Sequence, residues 1–398
     1  MTSTDAAGSR AATGSTLTGS ASPVSTLTGS ASAGSGGAGS DGCGSGVIKV
    51  VAFGGGHGLA GSLRALLTSS LDLDITAVVT VGDNGGSSGR LRVERDAQLP
   101  PGDLRMALAA LADDDPTHQR TVALMQHRFE LVGKLGDAQP GSLRRRSADV
   151  PTVGLKPARV LAATGGGLAD PLAGHAVGNL LLLGLMELLG DPVAALEHAG
   201  RMVGARGRVL PMAGHAVGIE ADVLGGDPDR PGEIVTVVGQ HAVAVTTGHV
   251  EAVRITPASP PASPPALTAI ADADWLIFGP GSWYTSVLPH LLVPDLAAAI
   301  VASPARRLVT LNLAADNETA GLSVADHLAM LHHYLPRLHV DTVLADARWV
   351  GDPEPVDKAA RALGAELVLA SLAVADGSPR HDPESLGVAL VPVLGASR

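Results

Sequence analysis

From Val47 onward the chain alternates short apolar runs, glycine-rich stops and longer amphipathic stretches, a rhythm that predicts a layered α/β fold. VIKVVAF (47–53) is β-rich and almost wholly apolar, the pattern of a strand buried on both faces, and it ends in GGGHG. LAGSLRALLTSS follows with Leu59, Leu63, Leu66 and Leu67 on one helical face, and DITAVVTV (74–81) is a second buried strand. Strand, glycine turn, helix and strand make a βαβ unit, whose right-handed crossover implies a parallel sheet. PGDLRMALAALA (101–112) predicts a helix with Pro101 near its first position; HAVGNLLLLGLMELLG and PVAALEHAGRMVG predict two more. EIVTVVG and HAVAVTTGHVEAVRI read as short antiparallel strands, and the Pro-rich 256–265 as a linker or loop. A second series of strands follows: ADWLIF (273–278), RRLVTLNLA (306–314), TVLAD and ELVLASL, with SVADHLAMLHHYL as a helix and another helix closing the chain. The expectation is a Rossmann-like α/β fold: a mostly parallel open sheet with helices on both faces, plus a small antiparallel β excursion.

Two stretches break the rhythm. Residues 1–46 are mainly Gly, Ser, Thr and Ala and repeat STLTGSAS at 15–22 and 25–32. Such a composition buries too little apolar surface to offset its ordering entropy, so a disordered tail is expected. Residues 131–172 lose periodicity and are expected to form a flexible insertion within a single domain spanning 47–398.

Composition narrows the functional classes. Hydrophobic residues make up 45% but aromatics only 2%, so the core must be built from Val, Leu, Ile and Ala. The net charge of -11 argues against a sequence-independent nucleic-acid binder, which needs a basic face. Cys43 is the single cysteine, which excludes an intramolecular disulfide and suits a reducing cytoplasm. The apolar run around LLLLGLMELL carries Glu187 and is too short to span a bilayer, and no export signal precedes the ordered part, so a cytoplasmic protein without a membrane span is expected.

Candidate chemistry lies in three glycine loops at strand ends: Gly54, Gly55, Gly56, His57 and Gly58; Asp83, Asn84, Gly85, Gly86, Ser87, Ser88, Gly89 and Arg90; and Gly279, Gly281 and Ser282. Glycine lets backbone amides converge on an anion, and a helix N-terminus adds partial positive charge. Ser87 and Ser88 add hydrogen-bond donors and Arg90 a bidentate partner, so a diphosphate fits. There is no GxxxxGK[ST] P-loop. Gly56-x-Gly58-x-x-Gly61 does match GxGxxG after a strand, with Asp83 where a ribose-binding acid would stand, which keeps an NAD-dependent oxidoreductase open. Asp83 is equally open to a sugar hydroxyl, a magnesium ion reached through water, or capping its own turn. Asp103 and Arg105 begin a helix, where Asp103 reads as a cap or dipole residue or as a site acid. Trp283 and Tyr284 are either a stacking platform for a base or sugar ring or an anchor on the core. Asn179 opens a helix and reads as its cap or as a ligand contact, Asn312 and Glu318 stand at a strand end and read as facing the same cleft or as a plain strand-to-helix loop, while His175 and His215 lack tight metal-ligand spacing and read as structural. No catalytic residue set and no metal site emerges; the sequence describes binding better than catalysis.

Taken in order, FGGGHGL, VTVGDNGGSSGRLR, PPGDLRMALAALA, GHAVGNLLL, GPGSWYTSVLPHLLV and LNLAADNETAGLSVADHL resemble the gluconeogenesis factor family, UDP-N-acetylglucosamine-binding regulators related to the 2-phospho-L-lactate transferases. The resemblance spans about residues 47–346. It implies a cytoplasmic Rossmann-like protein that binds a UDP-sugar at the sheet edge, requires no cofactor, and regulates carbon metabolism, cell shape and peptidoglycan synthesis without assigned catalysis. By motif it puts the nucleotide at Gly54–Gly58 and Asp83–Arg90, with Tyr284 as a ligand contact. It leaves the regulatory partner unnamed and a homo-oligomer open, and it carries a magnesium-dependent transferase using a nucleotide-linked donor as the alternative. The family commonly reads GGGTGL and ADDGGSSG where this chain has His57 and Asn84, and NLMTQPGET where it has NLAADNET, which departs at Asp316 and Asn317. Losing the carboxylate at position 84 fits binding somewhat better than metal-assisted transfer.

Overall fold

The computed structural model describes residues 46–130, 170–227, 229–315 and 317–396. The expectations of a disordered tail and of a flexible insertion fall almost wholly outside these residues. Ser45–Arg398 form one unit.

The chain opens with β1 (Ile48–Gly54), α1 (Gly56–Thr68) and β2 (Leu73–Val79), the βαβ unit read from the pattern. Both strands are buried over their last five residues, which is why they carry no polar alternation. Leu59, Leu63 and Leu66 of α1 are fully buried, and Leu67 packs partly buried beside them. Then come α2 (Gly86–Arg95), α3 (Pro101–Leu111), α4 (Pro116–Gln126), α5 (Val177–Leu189), α6 (Pro192–Met202) and β3 (Arg208–Pro211). A meander of β4 (Gly218–Leu224), β5 (Ile234–Val238), the short helix α7 (Gln240–Ala244) and β6 (His249–Thr256) follows. The second half runs α8 (Pro264–Asp272), β7 (Trp275–Phe278), a π turn (Trp283–Val287), α9 (Pro289–Leu292), α10 (Pro294–Ala302) and β8 (Arg306–Thr310). It ends with a 3-10 turn (Asn317–Thr319), α11 (Val324–Tyr334), β9 (Thr342–Asp346), α12 (Pro353–Ala362), β10 (Glu366–Ala370) and α13 (Pro383–Leu394).

Seven strands make a parallel sheet in the order β10-β9-β8-β7-β1-β2-β3, and β5-β4-β6 make the antiparallel excursion. Phe53 and Phe278 face each other across the β1–β7 pair, rings stacked at 4.8 Å, with His290 edge-on at 5.5 Å. Two of the chain's few aromatics are thus spent under the sheet's centre. No helix among the described residues is long and apolar enough to cross a membrane.

Two expectations are corrected. GDNGGSSGR does not stay a loop: from Gly86 it is the first half of α2, because RLRVER supplies helix formers and Leu91 a buried anchor. HAVAVTTGHVEAVRI is not strand throughout; Gln240–Ala244 coil into α7 and the strand begins only at His249, with Gly239 at φ 103 turning the chain between β5 and α7.

Candidate functional site

In the sheet order the chain leaves β1 toward β2 and β3, then returns to β1's other side at β7 and continues outward. Strand order therefore reverses at the β1–β7 pair, and the loops leaving these strands diverge around a crevice at their carboxyl ends. A cleft of about 480 Å³ lies there, lined from α1 by Gly55, Gly56, His57 and Gly58, from the β7 loop by Pro280, Gly281 and Ser282, and by Asp83, Asp103, Gln240 and Asn312.

Backbone approach builds its wall. A Cβ on Gly58 would overlap the carbonyl oxygen of Pro280 and lie 2.5 Å from Gly281 Cα, so only glycine lets the two loops touch. Gly281 N–H donates to Asn312 Oδ1 at 2.8 Å, while Asn312 Nδ2 donates to Gly281 O at 2.8 Å. That pair of bonds fixes the second loop as a neighbouring strand would. Gly55 caps α1 without a side-chain bond, and no acidic residue occupies the first turn, so the positive end of the helix dipole faces the cleft.

The other predicted residues are placed differently. Gly54 ends β1 and Gly279, at φ +73, opens the β7 loop, both framing the cleft rather than lining it. Asp83 lines it, its Oδ1 accepting from Gly85 N–H at 2.9 Å. Asn84 Oδ1 accepts from His241 N–H at 2.9 Å, tying the β2 loop to α7. Gly86, at φ 44, starts α2, and Gly89 lies so close to Asn84 O that a Cβ there would overlap it. Both serine hydroxyls are occupied inside the protein: Ser87 Oγ meets His175 Nδ1 at 2.9 Å and accepts from Asn179 Nδ2 at 3.0 Å, and Ser88 Oγ accepts from Gly102 N–H at 3.0 Å. Asn179 in turn accepts from Arg105 Nε at 2.8 Å, and Arg105 also donates to Gln126 Oε1. Arg90 donates to the carbonyls of Ala173 and Pro171 at 2.7 and 2.8 Å and is not among the cleft-lining residues. Tyr284 and Trp283 are 1% and 0% exposed, the anchoring arrangement rather than an open platform. Glu318 holds that turn in place, accepting from Tyr284 N–H at 2.8 Å and from Thr285 Oγ1 at 2.9 Å.

Several lining residues were not singled out from the sequence as ligand contacts, Gln240, His241, Arg380 and His381 among them. Gln240 begins α7, between the two stretches read as strands, and His241 follows it; Arg380 and His381 come from the segment before α13, with no local signal. Asp103, for which a cap or dipole role was only one of the readings open in the sequence, is 8% exposed at the cleft wall, and its Oδ2 has no hydrogen-bond partner. Burial first, and the neighbouring Asp83 carboxylate second, push its carboxyl up to about 7, against the pull of the Gly56 amide, Arg105 and Gln240.

Fold and site define a doubly wound α/β protein with a glycine-lined polar cleft at its switch point. The chain belongs to the 2-phospho-L-lactate transferase CofD family, which it matches over residues 50–369. Proteins of Mycobacterium tuberculosis (46% identical, 86% of this chain and 89% of theirs) and Mycobacterium leprae (44%, 86% and 84%), named provisionally as gluconeogenesis factors, are similar to it. So is the gluconeogenesis factor of Bacillus subtilis, 30% identical over 87% of this chain and 98% of its own. A crystal structure of a UPF0052 family protein from Bacillus halodurans superposes with a TM-score of 0.66 at 31% identity, covering 87% of this chain and 99% of that one.

Proposed function

We propose that the protein is a gluconeogenesis factor of the regulatory kind, binding a UDP-sugar, UDP-N-acetylglucosamine, at this switch-point cleft. One observation carries the reading: the start of α1, with no acidic residue in its own first turn, and the Gly281 loop held by Asn312 meet at a single crevice whose volume suits a small ligand. The diphosphate sits at the start of α1 around Gly55–His57, and the polar wall of Asp83, Gln240 and Asn312 faces the sugar hydroxyls. Ser87, Ser88, Asn179, Tyr284 and Glu318 shape the loops from behind, and Arg90 holds α2 against the 171–173 turn. The protein acts in the cytoplasm on carbon and cell-wall metabolism through a partner that reads the bound state.

The dinucleotide reading is less well supported, because its second glycine exists to let a pyrophosphate approach. Here Gly58 is covered by Pro280 and Gly281. The transferase reading follows from the family description and needs turnover. Titration calorimetry with UDP-N-acetylglucosamine, GTP and NAD separates the three. The expected result is a UDP-sugar complex without consumption of the ligand. NAD binding alone sinks the proposal, and magnesium-dependent consumption of a GTP-linked donor replaces it with the transferase.

A further inference from the structure

The Asp103 carboxyl packs against the same backbone that the anion is proposed to use. A Cβ on Gly55 would lie 2.6 Å from Asp103 Oδ2, and the Gly56 amide bonds to the carboxyl. Oδ2 is buried and unpartnered, and so is Gln240 Oε1 on the opposing element, while both residues line the cleft. An ionised carboxylate there would repel a diphosphate held on neighbouring amides. A neutral acid would instead present a hydroxyl at Oδ2, with the Gln240 side chain as the hydrogen-bonding group beside it.

We infer that Asp103 enters the ligand complex as a neutral carboxylic acid, its Oδ2 hydroxyl donating to the ligand's anionic group, so that binding is coupled to uptake of a proton. The inference rests on the reading that an anion occupies the α1 start. The groups facing Asp103 are Asp83 after β2, Thr80 and the Gly56 amide beside it, Gln240 on α7, and Arg105 on its own helix. Asp83 and burial favour the proton; Arg105 opposes it, but its guanidinium is committed to Asn179 and Gln126. The remaining titratable groups along the cleft are His57, His241, Arg380 and His381, and Arg380 is paired with Asp376 at 2.8 Å. The raised affinity of Asp103 for its proton, to about 7, agrees with the geometry.

Calorimetric titration of the full chain with UDP-N-acetylglucosamine, UDP and inorganic pyrophosphate, in two buffers of different ionisation enthalpy between pH 6 and 8.5, tests this. Proton uptake should approach one per ligand at the alkaline end, and affinity should fall about tenfold per pH unit above neutrality. With UDP-N-acetylglucosamine, whose diphosphate diester does not titrate in this range, Asp103→Asn, which keeps a donor, should bind without uptake and with a flat pH profile, and Asp103→Ala should bind more weakly and also flatly; with UDP and pyrophosphate, whose own phosphates titrate, uptake is read as the excess of wild type over Asp103→Asn. The inference is overturned if wild type and Asp103→Asn share one pH profile, or if binding releases protons and requires magnesium. Uptake with pyrophosphate but no binding of either nucleotide overturns the proposed function alone. Failure of all three anions to bind overturns both.

Discussion

Asn312 does with one side chain what a strand neighbour does with its backbone, accepting from and donating to Gly281 at 2.8 Å each. Removing it leaves a half-buried N–H and C=O without partners, and two such bonds are worth about 1 kcal/mol each. Asn312→Ala should therefore lower stability by about 2 kcal/mol and weaken ligand binding as the Gly281 loop loosens. Urea midpoints and calorimetry on the same preparation check both; an unchanged midpoint would show that the clamp contributes nothing. Asn312 was legible in the sequence because a polar residue at the end of an apolar strand has few places to go but the carboxyl edge. Ser87, Ser88 and Arg90 were legible only as chemistry. Their types suit a diphosphate, but the direction a side chain takes is set by what packs behind it, and here His175 and Asn179 claim Ser87, the Gly102 N–H claims Ser88, and the carbonyls of Ala173 and Pro171 claim Arg90. The opposite holds for Asp103: its sequence context suggested a helix start, and only tertiary burial against Gly55 makes it part of the site.

At the level of elements, the strands and their parallel arrangement were readable because fully buried strands leave uninterrupted apolar runs, as in β1, β2 and β9. The start of α2 and α7 were misread for one reason: glycine and β-branched residues dominate local propensity, whereas docking of Leu91 and Val243 into the core decides the outcome. The GxGxxG match spans two positions with opposite constraints. At Gly58 any Cβ meets backbone of the β7 loop, but at Gly61, inside α1, a Cβ meets nothing within 4 Å. Gly58→Ala should cost about 1–3 kcal/mol through overpacking and separate the two loops, lowering ligand affinity at least tenfold. Gly61→Ala should instead stabilise α1 by about 0.5–1 kcal/mol. Thermal melts of the two variants decide the point, and equal destabilisation by both would contradict the contact described between the α1 start and Pro280–Gly281.

For the whole molecule, the site's acid and the core's histidines pull stability in opposite directions with pH. Burial lowers His290 and His327 to about 4, so between about 6.5 and 4 the unfolded chain holds more protons at these positions than the folded one. Their contribution is complete above about 6.5 and is lost as pH falls through 4. Asp103 is raised to about 7 from 3.8, so the folded state holds the extra proton, and that contribution is present in acid and lost as pH rises toward 7. Within the shared window these two histidines, with His381, which burial also lowers to about 4, and His175, which burial lowers too, raise stability with pH, and Asp103 lowers it. Asp103→Asn removes the opposing group and leaves every other titration in place. The unfolding free energy of the variant should then climb more steeply than that of the wild type between pH 4.5 and 6, by close to one proton, or about 1.4 kcal/mol per pH unit. His290→Asn should flatten the climb by a similar amount, provided that its two carbonyl neighbours, Val78 O at 3.0 Å and Val287 O at 3.3 Å, keep a donor. Denaturant unfolding across that pH range measures both slopes. Parallel curves for wild type and Asp103→Asn would mean that Asp103 holds no extra proton in the folded protein, which would remove the acid from the cleft as well as from the stability profile.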